Sequence, residues 1–255
     1  MSHKLTEQDL EKIFINSRFK KRNPALIFLS FAGVFILVFF VITYLLNYQA
    51  INKKIGWWYT DEFGVQSHQL QDAVVKIQAG STPIASTSLP TVSNNSIHIE
   101  SIGVKAPIVF DVENSEKTVA DNLKNGVIHL KSTSKPGENG NVFITGHSSN
   151  FPWVKSKYNS IFALLPNVVV GDLVQVKYNE TNYIYRVNKT FVVDPSDVSV
   201  LKSDPNSNIL TLMTCTPIGT NLRRLIVQAE QIIPNPSTNK NVGATGRVSI
   251  PQGVK

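Results

Sequence analysis

Cys215 is the single cysteine in a chain of 255 residues, and it closes the apolar run Thr211-Leu212-Met213-Thr214-Cys215. Nine residues on, Arg224 opens a second apolar run. Upstream, another strand-like segment ends in Thr145-Gly146-His147. These three side chains are the parts of a thiol acyl-transfer site. A thiolate attacks a carbonyl carbon, and an imidazole takes the thiol proton and returns it to the leaving amine. A guanidinium, with a pKa above about 12, works electrostatically at the developing oxyanion or by fixing the substrate backbone. Backbone N–H groups from Thr214 to Thr216 are further candidate oxyanion donors. A lone cysteine has no intramolecular disulfide partner, so the thiol stays free for chemistry.

Each residue also has a plainer reading. A lone Cys is often a small buried hydrophobe, and a His at a strand end is often a surface residue. Arg224 alone would read as a surface arginine on an edge strand. Three features favour the chemical reading. The thiol lies in a segment expected outside the membrane. It is followed by Thr216-Pro217-Ile218-Gly219, a turn that exposes the strand end. Arg224 returns on the next strand, beside the thiol. Arg223 should point to the opposite strand face, so the two arginines cannot share the role.

The elements that must position these groups are strands. From Ile97 the pattern becomes alternating and short. Ile97–Ile102, Val104–Phe110, Asn141–Thr145, Asp172–Tyr178, Tyr183–Val193, Ile209–Thr214 and Arg224–Ala229 read as strands in a set of seven or eight. Pro107 makes its strand an edge or a bulged one. Short helices are expected around Val119–Leu123 and Ile161–Leu165. This is an all-β pattern, a closed barrel or a sandwich.

Ala25–Leu46 is 22 residues without a charge. At 1.5 Å rise it spans roughly 30 Å of hydrocarbon. A signal peptide is the competing reading, but the run exceeds an h-region and no small-x-small site closes it. Lys12, Arg18, Lys20, Lys21 and Arg22 precede it, so the positive-inside bias places the N-terminus in the cytoplasm and the rest outside the cell. Trp57, Trp58 and Tyr59 read either as headgroup anchors or as a small packed cluster. The expected organisation is a basic cytoplasmic tail at 1–24, a transmembrane helix at 25–46 and an extracellular stalk or linker at 47–96. A catalytic barrel at 97–233 and a disordered polar tail at 234–255 follow. Gly80–Asn95 in particular reads as linker.

The net charge is +7, but residues 1–24 and 231–255 each carry a surplus of three positive charges. The middle is left near neutrality, which argues against a nucleic-acid face. The sequence has no Cys pair, no His-x-x-x-His and no dense acidic loop, so no metal site is expected; no glycine-rich loop precedes a helix, so no nucleotide or other cofactor is expected.

At these residues the chain resembles the sortases, membrane-anchored cysteine transpeptidases of mostly Gram-positive bacteria. The family signature Thr-Leu-x-Thr-Cys matches Thr211 to Cys215. The extended form Thr-Cys-Thr-Pro-x-Gly-x-Asn-x-x-Arg matches Thr214 to Arg224 and selects Arg224 over Arg223. The family's Gly-His pair matches Gly146-His147. Ile102–Ile108, Asn125–His129 and Pro136–Asn141 also resemble sortase segments. The resemblance implies a closed eight-stranded β-barrel with short helices behind one N-terminal transmembrane helix. It implies His147, Cys215 and Arg224 as catalytic, and His129 as a neighbour of the site. It further implies cleavage of a C-terminal signal such as Leu-Pro-x-Thr-Gly through a thioacyl intermediate, and transfer of the substrate protein to an amine from a cell-wall precursor or a pilin lysine. The Thr214–Asn221 stretch leans toward the pilin class, whose Asp-Pro-aromatic lid and second C-terminal span this sequence does not match. A hydrolytic thiol peptidase and a non-catalytic membrane-anchored surface barrel are the alternatives. The L,D-transpeptidases are discounted, because their cysteine follows His-Gly and Cys215 follows Met213-Thr214.

Overall fold

The computed structural model describes residues 23–63, 74–75 and 93–241, together with Glu7. The chain divides into two units after Leu45. Helix α1 runs Pro24–Phe63. Its stretch Pro24–Tyr59 is long and apolar enough to cross a membrane, and its most apolar window is entirely unburied. Such a helix suits a membrane anchor or a signal sequence.

α1 continues past the uncharged run, where a stalk is expected; this later part belongs to the second unit and packs within it. Ala50 is buried. Lys53 Nζ donates to the Ser160 carbonyl at 2.9 Å, and Trp57 Nε1 donates to the Ser101 carbonyl at 3.2 Å. Of the aromatic trio, Trp57 therefore belongs to a packed cluster, while Trp58 and Tyr59 are exposed. Residues 80–92 of the expected linker lie outside the described residues.

Eight strands follow: β1 Ser96–Ile99, β2 Val104–Val112, β3 Val127–Leu130, β4 Gly140–Thr145, β5 Leu173–Tyr178, β6 Thr181–Val193, β7 Asn208–Thr216 and β8 Arg223–Ile233. They close into one barrel in the order β1-β2-β3-β4-β7-β8-β6-β5. The pairs β2–β3 and β4–β7 are parallel, and the other pairs are antiparallel. Helix α2, Glu116–Asn122, crosses between β2 and β3; the Ser115 side chain caps it by accepting from Thr118 N.

Two local expectations are corrected, and at Pro107 the bulged alternative is the one found. The first strand stops at Ile99, because Glu100–Ile102 form a 3-10 turn closed by Gly103 at φ +61. β2 is paired on both sides and so is no edge. Pro107 faces β1, and the register shifts toward β3 between Val109 and Val112, a bulge that contains Asp111 at φ +61. Ile161–Leu165 is a run of turns, with a 3-10 turn at Leu165–Asn167, rather than a helix. The start of the expected disordered tail also differs. Pro236–Thr238 form a 3-10 turn, and Lys240 bridges to Glu138.

Strand alternation sorts the side chains into two apolar layers. Leu210, Leu212, Leu225 and Val227 fill the barrel interior with Ile97, Ile144 and Tyr185. Phe143, Ile226 and half-buried Met213 face outward, under Val200, Leu201 and Leu123. The β6–β7 connection is thus pinned onto the outer face. A buried polar knot fastens it. Asn141 Nδ2 donates to the carbonyls of Val200 at 2.9 Å and Lys202 at 3.2 Å, and Asn141 Oδ1 accepts from Thr211 Oγ1 at 2.8 Å. Asn141→Ala strands the Val200 carbonyl and the Thr211 hydroxyl in buried surroundings and frees the Lys202 carbonyl. We expect a loss of roughly 2–4 kcal/mol in urea unfolding, and a loss below about 1 kcal/mol would contradict this account.

Candidate active site

Register alone brings the three chemical residues to one end of three adjacent strands. In the parallel β4–β7 pair, Thr145 lies opposite Met213. The next bonds carry the pairing past the end of β4. Gly146 N donates to Met213 O at 3.2 Å, and Thr214 Oγ1 donates to Gly146 O at 2.8 Å. His147 and Cys215 follow at the next step, on strands roughly 4.8 Å apart. In the antiparallel β7–β8 pair, Cys215 lies directly opposite Arg224, and Thr216 opposite Arg223. Opposed residues share a face, so Cys215 and Arg224 project together and Arg223 projects the other way. Arg223 reaches Asp194 at 3.7 Å.

Alternation continues this face from Met213 and Ile226, so Cys215 and Arg224 sit at the end of the outer apolar layer. Cys215, Arg224 and His147 are all half-buried. Arg224 Nη1 donates to the carbonyls of Asn221 at 3.0 Å and Arg223 at 3.2 Å. A guanidinium has five N–H donors, so this bonding leaves capacity for a substrate oxygen.

Two glycines let the chain close here. A Cβ on Gly146 would stand 2.7 Å from the Phe162 ring and 3.0 Å from Val127. Phe162 N in turn donates to His147 O at 2.9 Å. Gly219, at φ +83, turns the loop between Cys215 and Arg224, and its N–H donates to Ser149 Oγ at 2.9 Å. The loops after His147 and after Cys215 are therefore tied to each other. α1 joins them: Leu46 to Ala50 line a cleft with Ser149, Asn150, Pro152 and Ser160.

Burial pushes the His147 imidazole below its ordinary pKa. Its Nε2 is 3.3 Å from Asn150 Nδ2. Asn150 and its partner Asn159 carry no sequence signal, because their contact closes across a loop whose path composition does not reveal.

The remaining candidates are placed differently. Thr214 is buried, alternates with Cys215, and commits its hydroxyl to Gly146 O. Its side chain works as a fastener, which leaves its backbone as the candidate donor. Thr216 is half-buried at the end of β7. His129 is fully buried on β3, opposite Ile144, and so on the interior side of the sheet from Cys215. Its Nε2 lies 2.9 Å from Ser134 O and 3.1 Å from Thr133 Oγ1, and its Nδ1 accepts from Asp111 N at 3.5 Å. Burial lowers its pKa as well.

A closed eight-stranded mixed barrel with a thiol at the end of β7 is the sortase fold. A sortase-domain family model matches residues 97–232. That is more than half of the chain, and the chain belongs to the sortase family. Over 139 residues it is 27% identical to sortase D of Bacillus subtilis strain 168, covering 53% of this chain and 62% of that protein. Over 151 residues it is 26% identical to sortase SrtE1 of Streptomyces coelicolor, covering 55% of this chain and 40% of that protein. The chain thus spans less than two thirds of each of these relatives. Among solved structures it is similar to sortase C1 from Streptococcus suis, at 28% identity and a TM-score of 0.47, covering 55% of this chain and 73% of that one.

The position of His129 yields a prediction. His129→Ala should cost about 2–4 kcal/mol of stability while leaving kcat/KM of the folded fraction within about threefold. The pH dependence has a definite sign. Burial lowers His98 on β1 as it does His129 and His147, so the unfolded chain binds more protons just below about pH 6.5 and stability falls as pH drops through that window. Tm measured from pH 7.5 to 5 should decline, and more gently in His129→Ala.

Proposed function

We propose that this chain is a sortase-type cysteine transpeptidase that cuts a C-terminal sorting signal and passes the acyl group to an amine. The observation that carries the reading is the cross-strand pair Cys215–Arg224, with His147 one strand away, inside a sortase-family domain. In this reading His147 takes the Cys215 proton and the thiolate attacks the carbonyl of the Thr-Gly bond. The Arg224 guanidinium and backbone N–H groups near Thr214–Thr216 hold the oxyanion. The C–N bond breaks, and the leaving amine takes the proton from His147. A second amine, from a cell-wall precursor or a pilin lysine, attacks the thioester and releases Cys215.

The apolar outer layer suits the Leu-Pro part of such a signal. The β6–β7 connection, residues 194–207, is the natural wall for recognition, with Val198 exposed on it. α1 is the anchor in this reading, with the basic residues 1–24 in the cytoplasm and the barrel outside. That arrangement brings the enzyme to membrane-bound donors and acceptors.

The test uses the full chain in detergent, a library of sorting-motif peptides and two amines, an oligoglycine and a lysine peptide, read by adduct mass. Cys215→Ala should lose transfer entirely with an unchanged melting profile; full transfer in that variant would end the reading. Hydrolysis without any amine adduct would mark a peptidase instead. Arg224→Ala should lower kcat/KM by roughly 10²–10³-fold, while Arg223→Ala stays within about threefold.

A further inference from the structure

The hydrogen bonds around His147 determine which ring nitrogen carries its proton. A backbone N–H only donates, and Phe151 N donates to Asn150 Oδ1 at 2.8 Å. The other amide atom of Asn150 is therefore its NH₂. A second route reaches the same assignment. A backbone carbonyl only accepts, and Val154 O accepts from Asn159 Nδ2 at 2.5 Å. Asn159 thus turns its Oδ1 toward Asn150 and accepts from Asn150 Nδ2 at 3.3 Å. The same NH₂ faces His147 Nε2 at 3.3 Å. A donor aimed at Nε2 requires a lone pair there.

We propose that Asn150, held by Asn159 and by the Phe151 N–H, is a positioning residue that locks neutral His147 in the Nδ1–H tautomer and makes Nε2 the atom that exchanges protons in the reaction. This rests on the acyl-transfer reading above. The steps balance at one atom. Nε2 takes the Cys215 proton as the thiolate forms its bond to the carbonyl carbon. When the C–N bond breaks, the leaving amine nitrogen takes that proton from Nε2. The ring returns to the Nδ1–H form with which it began. A donor facing Nε2 also disfavours proton retention there, so the imidazolium gives its proton up readily. Among the described residues the side chain bonded to the His147 ring is Asn150, and residues 139–171 contain neither Asp nor Glu. The ionisable groups around this loop include Cys215 and Arg224 on the neighbouring strands, Lys155, Lys157 and Tyr158 on the loop itself, and Lys53 on α1 at Ser160.

The test is ¹⁵N NMR of the full chain in detergent with labelled histidine. The chain has five histidines, and His147→Gln assigns the resonance. The expected result is a neutral His147 protonated at Nδ1; protonation mainly at Nε2 would overturn the proposal without any variant. Asn150→Asp replaces the donor with an acceptor. It should flip the ring to Nε2–H, shift the imidazolium titration upward, and lower kcat by roughly 10–100-fold with KM for the sorting peptide nearly unchanged. A wild-type tautomer or wild-type kcat in that variant would also overturn the proposal. The spectrum does not depend on activity. An Nδ1–H ring in a protein that transfers no peptide sinks the transpeptidase reading, and an Nε2–H ring in an active enzyme sinks the tautomer lock alone.

Discussion

The site depends on the parallel register of β4 and β7. Parallel neighbours end at the same edge of a sheet, so the chain that leaves β4 and the chain that leaves β7 emerge side by side. Thr145 opposite Met213 sets the step, and Thr214 Oγ1 on Gly146 O carries it one residue past the end of β4. A slip of one residue would turn Cys215 inward and Thr214 outward, because strand side chains alternate. The interior layer of Leu210 and Leu212 forbids that slip, since it would expose both. Core packing and the juxtaposition of Cys215, Arg224 and His147 are therefore one constraint. Each hydrogen bond at the junction adds about 1 kcal/mol net, but stranding the buried Gly146 carbonyl would cost more.

Beyond the strands, position is held by loops that brace one another. Gly146 permits the Phe162 ring to close against the turn, and Phe162 N then fixes the His147 carbonyl. Ser149 receives the Gly219 N–H from the far side of Cys215. Ala50 and Lys53 of α1 press on the same region. Residues on loops are precise only when several partners over-determine them, and here the partners come from β3, β7, the β7–β8 loop and α1.

What was legible in the sequence follows from how local each signal is. Cys215 and Arg224 were readable together, because one short turn between two alternating runs leaves little freedom in their pairing. Strands of six or more residues announced themselves by alternation or, in β4, by a longer apolar run. β3 did not: Val127–Leu130 is four residues, all buried, with no polar face to alternate with, and only its likeness to a family segment marked it. Ile161–Leu165 imitated a helix because consecutive turns bury a similar apolar cluster. Thr214 is a candidate through its backbone N–H, and strand alternation puts its side chain on the opposite face from Cys215, where it bonds Gly146 O. Asn150, Asn159 and the packed part of α1 were invisible, since their partners are distant in sequence or reached through irregular chain.

His129 and His147 show why a residue type does not define a role. Burial lowers the pKa of both, so both rest neutral near pH 7. His129 has each nitrogen engaged from a fixed side: Asp111 N–H donates to Nδ1, so Nε2 bears the proton and gives it to Ser134 O. A ring committed in this way has no lone pair to offer, and it braces β3 against the turn that follows. At His147, the contact to Nε2 is a single longer one from a side-chain amide. Such a bond orients the ring yet yields to a better donor. Availability of a lone pair, set by what already occupies it, separates the structural imidazole from the one that can trade protons with a thiol.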